Sequence, residues 1–528
     1  MPPDMEEDPA TPKARRVGAL SGLVAASVGV LVLALLRLFL EVPSPPELIG
    51  DRLGARVPVR PFLDLIGIFG SYGRLKAFSV FSVLFGTLVL GAVAGAAYAG
   101  MLERHRDRGV AVGARTGVSR RGVVVVGFAV WLAWLLSVAA FWPLLASYDR
   151  GAPGRTARTV NSGGLLLGMV VAATTLVLAY RSLISRPEGQ EAAGRPVGRR
   201  ALLAGGVGLG AAVATGGVLQ RLYARSTFGY DGQEYNGAIE PVTPIDRFYV
   251  VTQNLVDPEV RRDAWQLEIG GDVVQRRVYD FEAISGLSPV IQESTLACIS
   301  NPVGGGLMSN AVWKGVPLRQ LLEEAGPKPG VVDVVFHGAD GYTDTFPLEK
   351  AMDETTLVAY EVNGQPLPRR HGFPARIIVP GLYGEKNVKW VNRIELSTSQ
   401  EEGFYEQQGW GPNFVVNTQS RFTAPVFDQP LPVAPVVLSG TAFGGDRGVS
   451  KVEVSVDDGA TWQGATITYP GSRLTWSLWS YTWVPTRPGE HRLVVRTVDG
   501  GGTPQVSEDR TSGPEGATGL HRIVAMLG

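Results

Sequence analysis

The sequence offers very little sulfur or imidazole chemistry. Its 528 residues contain one cysteine, Cys298, so an intramolecular disulfide is excluded and cysteine pairing says nothing about the compartment. Any metal bound through protein sulfur must use this single thiolate. None of the five histidines lies in an apolar run of membrane-spanning length, which argues against a transmembrane haem with a histidine ligand.

The sequence also lacks a net charge, because 49 Lys and Arg residues balance 49 Asp and Glu residues. No global charge therefore indicates a nucleic-acid partner, and we predict none. The balance hides an asymmetry, since the first two hundred residues are rich in arginine and apolar side chains and poor in acids. This pattern is typical of a membrane region followed by a soluble region.

Long apolar runs in the N-terminal region predict a membrane domain over residues 17–222 with about five transmembrane helices. Crossing a bilayer takes about 20 apolar residues. A single run of this kind is also compatible with a buried core helix, but four strong runs in under two hundred residues argue against that. The fifth run is richer in glycine and alanine and is weaker. The five runs are Val17–Leu40, Leu75–Met101, Gly122–Ala146, Gly163–Ile184 and Ala201–Leu219.

Arginines predict the orientation of this domain, because cytoplasmic loops carry the excess of positive charge. Basic residues are densest in 1–16, in 104–121 and in 181–200, which fall on one side if all five runs span. We therefore expect a cytoplasmic N-terminus over 1–16 and an extracytoplasmic chain after about Arg221. The Arg199-Arg200 pair either marks this orientation or belongs to a twin-arginine export signal.

Beyond residue 235 the sequence changes to short mixed strands and helices, which predicts an α+β domain over 235–424. A proline-rich linker, Pro425–Pro435, then precedes alternating strands with turns about every ten residues. This spacing predicts a β-sandwich over 425–528. The fold class is therefore multi-domain, with transmembrane helices, an α+β domain and a sandwich. Four tryptophans, Trp462, Trp476, Trp479 and Trp483, are expected in the core of the sandwich or in an interface, and core packing is favoured.

Cys298 ends an apolar strand and precedes the three glycines Gly304-Gly305-Gly306. Glycines allow the backbone to approach a bulky cofactor, and a thiolate suits a transition metal. A lone cysteine is more often a small buried hydrophobic residue, so this motif alone is a weak signal.

A second cluster combines a glycine-rich loop with cations. Arg376, Lys386 and Lys389 flank the stretch from Val379 to Trp390. Backbone N–H groups and cations together can bind a phosphate or a similar anion, although the spacing is not that of a P-loop. A solvated basic turn would have the same composition, so both interpretations remain open on the residues alone.

Three runs in close order resemble the sulfite oxidase family of molybdopterin enzymes. They are Asn363-Gly364-Gln365-Pro366-Leu367-Pro368, His371-Gly372-Phe373-Pro374-Ala375-Arg376, and the Val379-Pro380-Gly381 loop that ends in Val388-Lys389-Trp390. The resemblance covers roughly Phe248 to the C-terminus, with Cys298 upstream of the three runs as in the family. The run from Val454 to Trp462 looks like the family's immunoglobulin-like dimerisation domain, which implies a homodimer.

The resemblance implies a molybdenum–molybdopterin cofactor with Cys298 as the metal ligand and catalytic centre. It places Tyr405 loosely at an active-site tyrosine. Residues that it implies in cofactor binding are Asn301, His371, Arg376, Gly384, Asn387 and Lys389.

The sequence departs from the family where sulfite-oxidising members carry cations. Three such positions correspond here to Val251, Val303 and Ser477. We therefore predict a membrane-anchored extracytoplasmic enzyme that transfers oxygen atoms on a small uncharged substrate, such as an S-oxide or N-oxide, with a separate electron-transfer partner. The alternatives are a sulfite dehydrogenase and an inactive, membrane-displayed binding protein.

Overall fold

The computed structural model describes residues 10–54, 56–107, 120–146, 154–184, 217–218, 220–230, 232, 237 and 239–528. Contacts between Cα atoms divide the chain into two compact units. The first unit comprises 1–52 and 76–226, and the second comprises 53–75 and 227–528.

Helices dominate the described part of the N-terminal region, as the apolar runs predict. Four of the helices are long and apolar enough to cross a membrane, over Ala14–Leu40, Tyr72–Glu103, Val124–Phe141 and Arg155–Leu183. The fifth predicted run, Ala201–Leu219, lies almost entirely outside the described residues. The helices are α1 (Ala10–Leu40), α2 (Pro45–Gly54), α3 (Val59–Phe69), α4 (Tyr72–Asp107), α5 (Arg120–Phe141) and α6 (Gly154–Ile184).

Small residues and one buried ionic cluster hold the first unit together. Gly22 on α1 faces Gly91 and Gly95 on α4 so closely that an added Cβ would collide with the opposing backbone. Such small residues let apolar helices approach each other where lipid provides no hydrophobic driving force. Arg37, which is 4% exposed, donates from Nε to Glu47 at 2.8 Å, so its charge is neutralised by a carboxylate of the same unit.

One mixed sheet and one antiparallel sheet form the α+β part of the second unit. One has the order β2-β1-β10-β5-β6, with β1 and β10 parallel, and the other has the order β3-β4-β7-β8, with β9 paired to β7. The predicted strand at Trp265–Ile269 and the predicted helix at Leu318–Ala325 are both present. The bounds are β1 (Gln266–Gly271), β2 (Arg277–Asp280), α7 (Phe281–Ser285), β3 (Val290–Ala297), β4 (Met308–Pro317), α8 (Leu318–Ala325), β5 (Asp333–Gly338), β6 (Thr343–Pro347), α9 (Leu348–Ala351), β7 (Leu357–Val362), β8 (Gln365–Pro366), β9 (Arg376–Ile378) and β10 (Val391–Ser397).

Two four-stranded sheets follow, with orders β11-β12-β16-β15 and β14-β13-β17-β18. Strand β11 precedes the predicted boundary at 425, yet it pairs with β12, so the sheet begins earlier than the proline-rich linker suggests. Trp476, Trp479 and Trp483 are buried, whereas Trp462 is half-buried under the Arg496 guanidinium at 4.0 Å. The bounds are β11 (Gln419–Ala424), β12 (Val436–Phe443), β13 (Val449–Ser455), β14 (Gln463–Gly464), β15 (Thr466–Tyr469), β16 (Ser477–Trp483), β17 (Gly489–Asp499) and β18 (His521–Leu527).

The segment 53–75, between the first two candidate spans, belongs to the second unit. Sequence analysis places it within the membrane domain of 17–222. The structure differs because the first residue of α3, Val59, is buried in an apolar cluster with Trp410 and Phe414. The Gln408 side-chain amide also donates to the Gly54 carbonyl at 3.0 Å. The apolar face of α3 therefore packs within the second unit, although α3 lies between two candidate membrane spans in the sequence.

Candidate functional site

Cys298 lies immediately after β3, at the start of a closed loop that returns to β4. Its backbone N–H donates to the Leu307 carbonyl at 2.9 Å, and the Asn301 side-chain oxygen accepts from the Leu307 N–H at 2.9 Å. Asn301 therefore shapes this loop with its amide. The loop needs its glycines, since Gly304 has a φ of 74° and a side chain there would collide with His521.

The Cys298 thiol is 8% exposed, and its Sγ lies 3.1 Å from the Ser300 hydroxyl. Burial, followed by the negative charge of Glu385, raises the pKa of Cys298 to about 11. Hydrogen bonds with Ser300 and the Ile299 backbone act in the opposite direction, but burial outweighs them. A bound metal cation would supply the missing positive charge and displace the proton, as thiolate ligation requires.

Three of the predicted cofactor-binding residues converge beneath this loop system. His371 ends a 3-10 turn, Arg376 begins β9, and Lys389 precedes Trp390 at the end of the glycine-rich loop. Burial, then the positive charges of Arg376, Lys389 and Arg370, lowers the pKa of His371 to about 2. The imidazole is therefore neutral and lies among three cations.

The polar atoms of this basic cluster are not all used within the protein. His371 Nε2 and Arg376 Nε are buried and have no hydrogen-bond partner among the described residues. Lys389 donates to the carbonyls of Val251 and Arg370, at 3.2 and 3.3 Å, and burial lowers its pKa to about 8. Buried polar atoms without partners cost about 1–3 kcal/mol each. A bound anion with hydrogen-bond acceptors, such as the phosphate of a pterin cofactor, fits this donor set.

Asn387 and Gly384 shape the glycine-rich loop. The Asn387 side chain accepts from the Val379 N–H at 2.8 Å and donates to the Tyr383 carbonyl at 3.1 Å. Gly384 begins a 3-10 turn, Gly384–Lys386, and a Cβ at this glycine would lie 2.5 Å from the Tyr249 hydroxyl and 3.3 Å from the Ala297 carbonyl. The lack of a side chain at Gly384 thus lets this turn pack directly against the end of β3, next to Cys298.

Tyr405 lies in an aromatic group on another side of the site. Its ring centroid is 5.8 Å from that of Tyr342 and 6.1 Å from that of Trp410. Burial holds the pKa of Tyr405 well above its usual value, and the charges of Cys298 and Glu385 act in the same direction. The structure therefore brings Tyr405 into the electrostatic reach of the Cys298 thiol.

Sequence reasoning missed an ionic cluster beside Cys298. Lys386, which is 2% exposed, pairs with Asp344 at 2.7 Å and with Glu406 at 3.4 Å. Asp344 also accepts a hydrogen bond from the Tyr342 hydroxyl at 2.6 Å. Glu385 follows Gly384 in the same turn, and neither of its carboxyl oxygens is accessible to solvent. The sequence signal was only a Glu-Lys pair inside the glycine-rich loop, which is common on solvated turns.

The site also includes an apolar contribution from α3. The buried cluster that contains Val59 also contains Ala297, Ile299 and Tyr383, with Tyr405 packed against it. Leu63, one helical turn later, lies on the same face and contacts this cluster. A segment nearly 240 residues upstream of Cys298 therefore helps to form the wall of the site.

The comparisons with known proteins agree with this geometry. The family "Oxidoreductase molybdopterin binding domain" matches residues 254–405, and "Mo-co oxidoreductase dimerisation domain" matches residues 413–509. Through these residues the chain belongs to the sulfite oxidase family of molybdopterin-dependent oxidoreductases. The cofactor of this family is molybdenum–molybdopterin, and the donor set around His371, Arg376 and Lys389 suits its phosphate.

Relatives in this family include both nitrate reductases and sulfite oxidases. The chain is 30% identical over 302 residues to inducible nitrate reductase [NADH] 2 from Glycine max, covering 45% of this chain and 34% of that protein. It is 33% identical over 227 residues to mitochondrial sulfite oxidase from Rattus norvegicus, covering 37% and 42%, respectively. The chain thus spans roughly a third to two fifths of the length of these curated relatives.

A solved structure supports the fold. The sulfane dehydrogenase SoxCD from Paracoccus pantotrophus superposes with a TM-score of 0.50 at 24% identity, covering 56% of this chain and 86% of that one. At this identity, the similarity shows a shared fold over the part of the chain that superposes.

Proposed function

We propose that this chain is a membrane-anchored molybdenum oxidoreductase that transfers oxygen atoms on a small uncharged substrate, such as an S-oxide or N-oxide. The observation that carries the proposal is the combination of a buried thiol at Cys298 with buried polar atoms at His371 and Arg376 that have no partner among the described residues. When bound, the cofactor supplies two-electron chemistry at molybdenum. The protein supplies the thiolate ligand, the anchor for the pterin phosphate and the shape of the pocket.

Each predicted site residue has a role in this proposal. His371, Arg376 and Lys389 bind the pterin phosphate: His371 Nε2 and Arg376 Nε have no partner among the described residues, and Lys389, which already donates to two carbonyls, adds its positive charge. Asn301, Gly384 and Asn387 hold the two loops that bring Cys298 beside this cluster. Tyr405 contacts the substrate from the aromatic side of the pocket, where exclusion of water strengthens its hydrogen bond.

A sulfite dehydrogenase is the second candidate, and the relationship to sulfite oxidases favours it. Val251, Val303 and Ser477, at positions where the family resemblance implies cations, favour an uncharged substrate instead. A binding protein without activity would have no physical need for buried donors without partners, since these lower stability.

The molybdenum and pterin content of the full-length chain tests the proposed function. We expect about one molybdenum and one pterin per polypeptide after purification in detergent, with reduction of dimethyl sulfoxide or trimethylamine N-oxide by a reduced dye. A folded chain without molybdenum, expressed in a host that makes the cofactor, would favour the inactive binding protein.

We propose that the second unit is extracytoplasmic and that the chain crosses the membrane several times. Four apolar helices support membrane anchoring by their length and composition. The domain organisation that goes with this proposal is 1–16 cytoplasmic, 17–222 membrane domain, 235–424 catalytic domain and 425–528 sandwich. The sandwich provides a homodimer interface in this arrangement, as the dimerisation family implies.

Reporter fusions test this topology. A periplasmic-active reporter joined after Gly528 should be active, whereas a reporter that requires the cytoplasm should be inactive at the same position. The opposite pattern would mean an even number of spans. Purified chain should also show no haem absorbance, because the electron-transfer partner is proposed to be a separate molecule.

A further inference from the structure

The strand that leads to Cys298 is hydrogen-bonded to the C-terminal sandwich. The Thr295 N–H, on β3, donates to the Leu474 carbonyl at 3.0 Å. In the same place the Trp476 N–H donates to the Thr295 hydroxyl at 2.8 Å. Leu474 and Trp476 lie in the connection between β15 and β16. The sandwich therefore holds the backbone just before the thiol.

The loop after Cys298 is held by two other residues of the sandwich. Arg421, on β11, is 3% exposed, and its guanidinium donates to the carbonyl oxygens of Gly304, at 3.5 Å, and Gly305. His521, the first residue of β18, packs its imidazole against Gly304 so closely that an added Cβ would overlap the ring. The segment that carries the thiol is thus fixed to the sandwich on both sides of Cys298.

Arg421 and His521 come from the edges of the two sheets. Strand β11 is at the end of one sheet and β18 is at the end of the other. His521 Nδ1 accepts from the Phe422 N–H at 3.0 Å, which joins the two edges. Burial, followed by the positive charge of Arg421, lowers the pKa of His521 to about 4, so the imidazole is neutral and can accept this hydrogen bond. The loop therefore packs where the two sheets meet.

We propose that the sandwich holds the Cys298 segment in place for metal binding, with Arg421 and His521 as positioning residues for the thiol. The run Gly304-Gly305-Gly306 loses more conformational freedom on closing than other residues would, so this loop needs contacts that hold it closed. Contacts with a rigid sandwich supply them. Because Cys298 is the proposed metal ligand, this role rests on the proposed function, although closure of the loop can be measured without the metal.

The rate of alkylation by N-ethylmaleimide reports the opening of this loop, because Cys298 is the only cysteine of the chain. The full-length chain is prepared without molybdopterin, so that no metal protects the thiol. We expect Arg421→Gln and His521→Ala to react on the order of tenfold faster than the wild type, since each loses contacts that keep the loop closed. The control is Arg522→Gln, which removes an exposed neighbour of His521 that pairs with Asp509 at 3.4 Å. Its rate should stay within about twofold of the wild type.

The dependence of the alkylation rate on urea separates loop opening from a general loss of stability. Local opening exposes little surface, so its rate should change little with urea, whereas global unfolding exposes much surface and depends steeply on urea. We expect the faster alkylation of both variants already without urea and with a shallow slope. Unchanged rates in both variants, or an increase with the steep slope of global unfolding, would overturn the positioning role.

A double-mutant comparison tests the contact between the imidazole and the loop. Gly304 has a φ of 74°, so alanine is strained there in any background, but only the wild type adds the overlap with His521. Gly304→Ala should therefore raise the alkylation rate about threefold more in the wild type than in His521→Ala. Equal effects would show that the ring does not hold the loop. If the cofactor-loaded chain contains no molybdenum, the proposed function fails, while the alkylation rates still decide whether the sandwich holds this segment.

Discussion

Cys298→Ser is expected to abolish oxide reduction while leaving a folded chain that still contains the pterin. Activity should fall on the order of a thousandfold or more, the scale of loss when a group acting at the reacting centre is removed. The pterin should remain because its proposed anchor, formed by His371, Arg376 and Lys389, is separate from the thiol. Pterin fluorescence after release, molybdenum content and the rate of oxide reduction are the three measurements.

Ser300→Ala provides the matched control for this variant. The Ser300 hydroxyl is 3.1 Å from Cys298 Sγ, so its removal perturbs the same loop without removing the proposed metal ligand. We expect at most a tenfold loss, since a single hydrogen bond is worth about 0.5–1.5 kcal/mol. Activity of Cys298→Ser equal to that of the wild type would refute metal ligation by this residue.

Local patterns in the sequence were sufficient to predict the elements that carry the site. Strand β1 alternates and helix α8 has an apolar face, so both were predicted close to their observed bounds. The three family motifs predicted molybdopterin, and the two family matches confirm it. These features are local because a few consecutive residues determine a turn, a strand end or a cofactor loop.

The environment of Glu385 could not be predicted in this way. A Glu-Lys pair in a glycine-rich loop is common on solvated turns, and only the fold shows that Lys386 turns toward Asp344, some forty residues earlier. The same holds for Val59, whose burial against Trp410 joins residues about 350 positions apart. No periodicity in the sequence encodes such contacts, because they depend on how distant elements pack.

The boundary of the sandwich shows a different limit. Proline-rich segments often indicate a linker. The segment Pro425–Pro435 does separate two strands, β11 and β12. However, β11 lies before the prolines and pairs with β12 after them. The segment is therefore a connection within one sheet, which composition alone cannot distinguish from a connection between domains.

Sulfite is expected to be a poor substrate, with kcat/KM at least about a thousandfold below that of a neutral oxide. A dianion that enters a buried pocket loses strong hydration, at a cost of several kcal/mol. Charge-assisted hydrogen bonds normally offset this cost, at about 1.5–3 kcal/mol each. At three positions where the resemblance to the sulfite oxidase family implies cations, this chain has Val251, Val303 and Ser477. Losing three contacts of about 1.5 kcal/mol corresponds to roughly three orders of magnitude.

Lys314 and Arg421 are the two cations that we consider as replacements in the described part of the chain. Lys314 pairs with Glu361 at 2.9 Å and lies six residues along β4 from Met308, the residue opposite Ala297, which is roughly 20 Å at 3.3 Å per residue. Arg421 is nearer, but its guanidinium donates to the carbonyl oxygen of Gly305 in the loop after Cys298. Arg421 therefore stabilises the loop, and part of its hydrogen-bonding capacity is used by the Gly305 carbonyl.

Steady-state kinetics on molybdenum-loaded chain, with sulfite and with trimethylamine N-oxide at matched ionic strength, measure the difference directly. Ionic strength must be matched because salt screens the charges that distinguish the two substrates. Efficient sulfite oxidation with a KM in the micromolar range would contradict the prediction and identify Arg421 as the first residue to replace. In that case Arg421→Gln should weaken sulfite turnover at least tenfold and leave N-oxide reduction within a factor of about three, because only the dianion needs the cation.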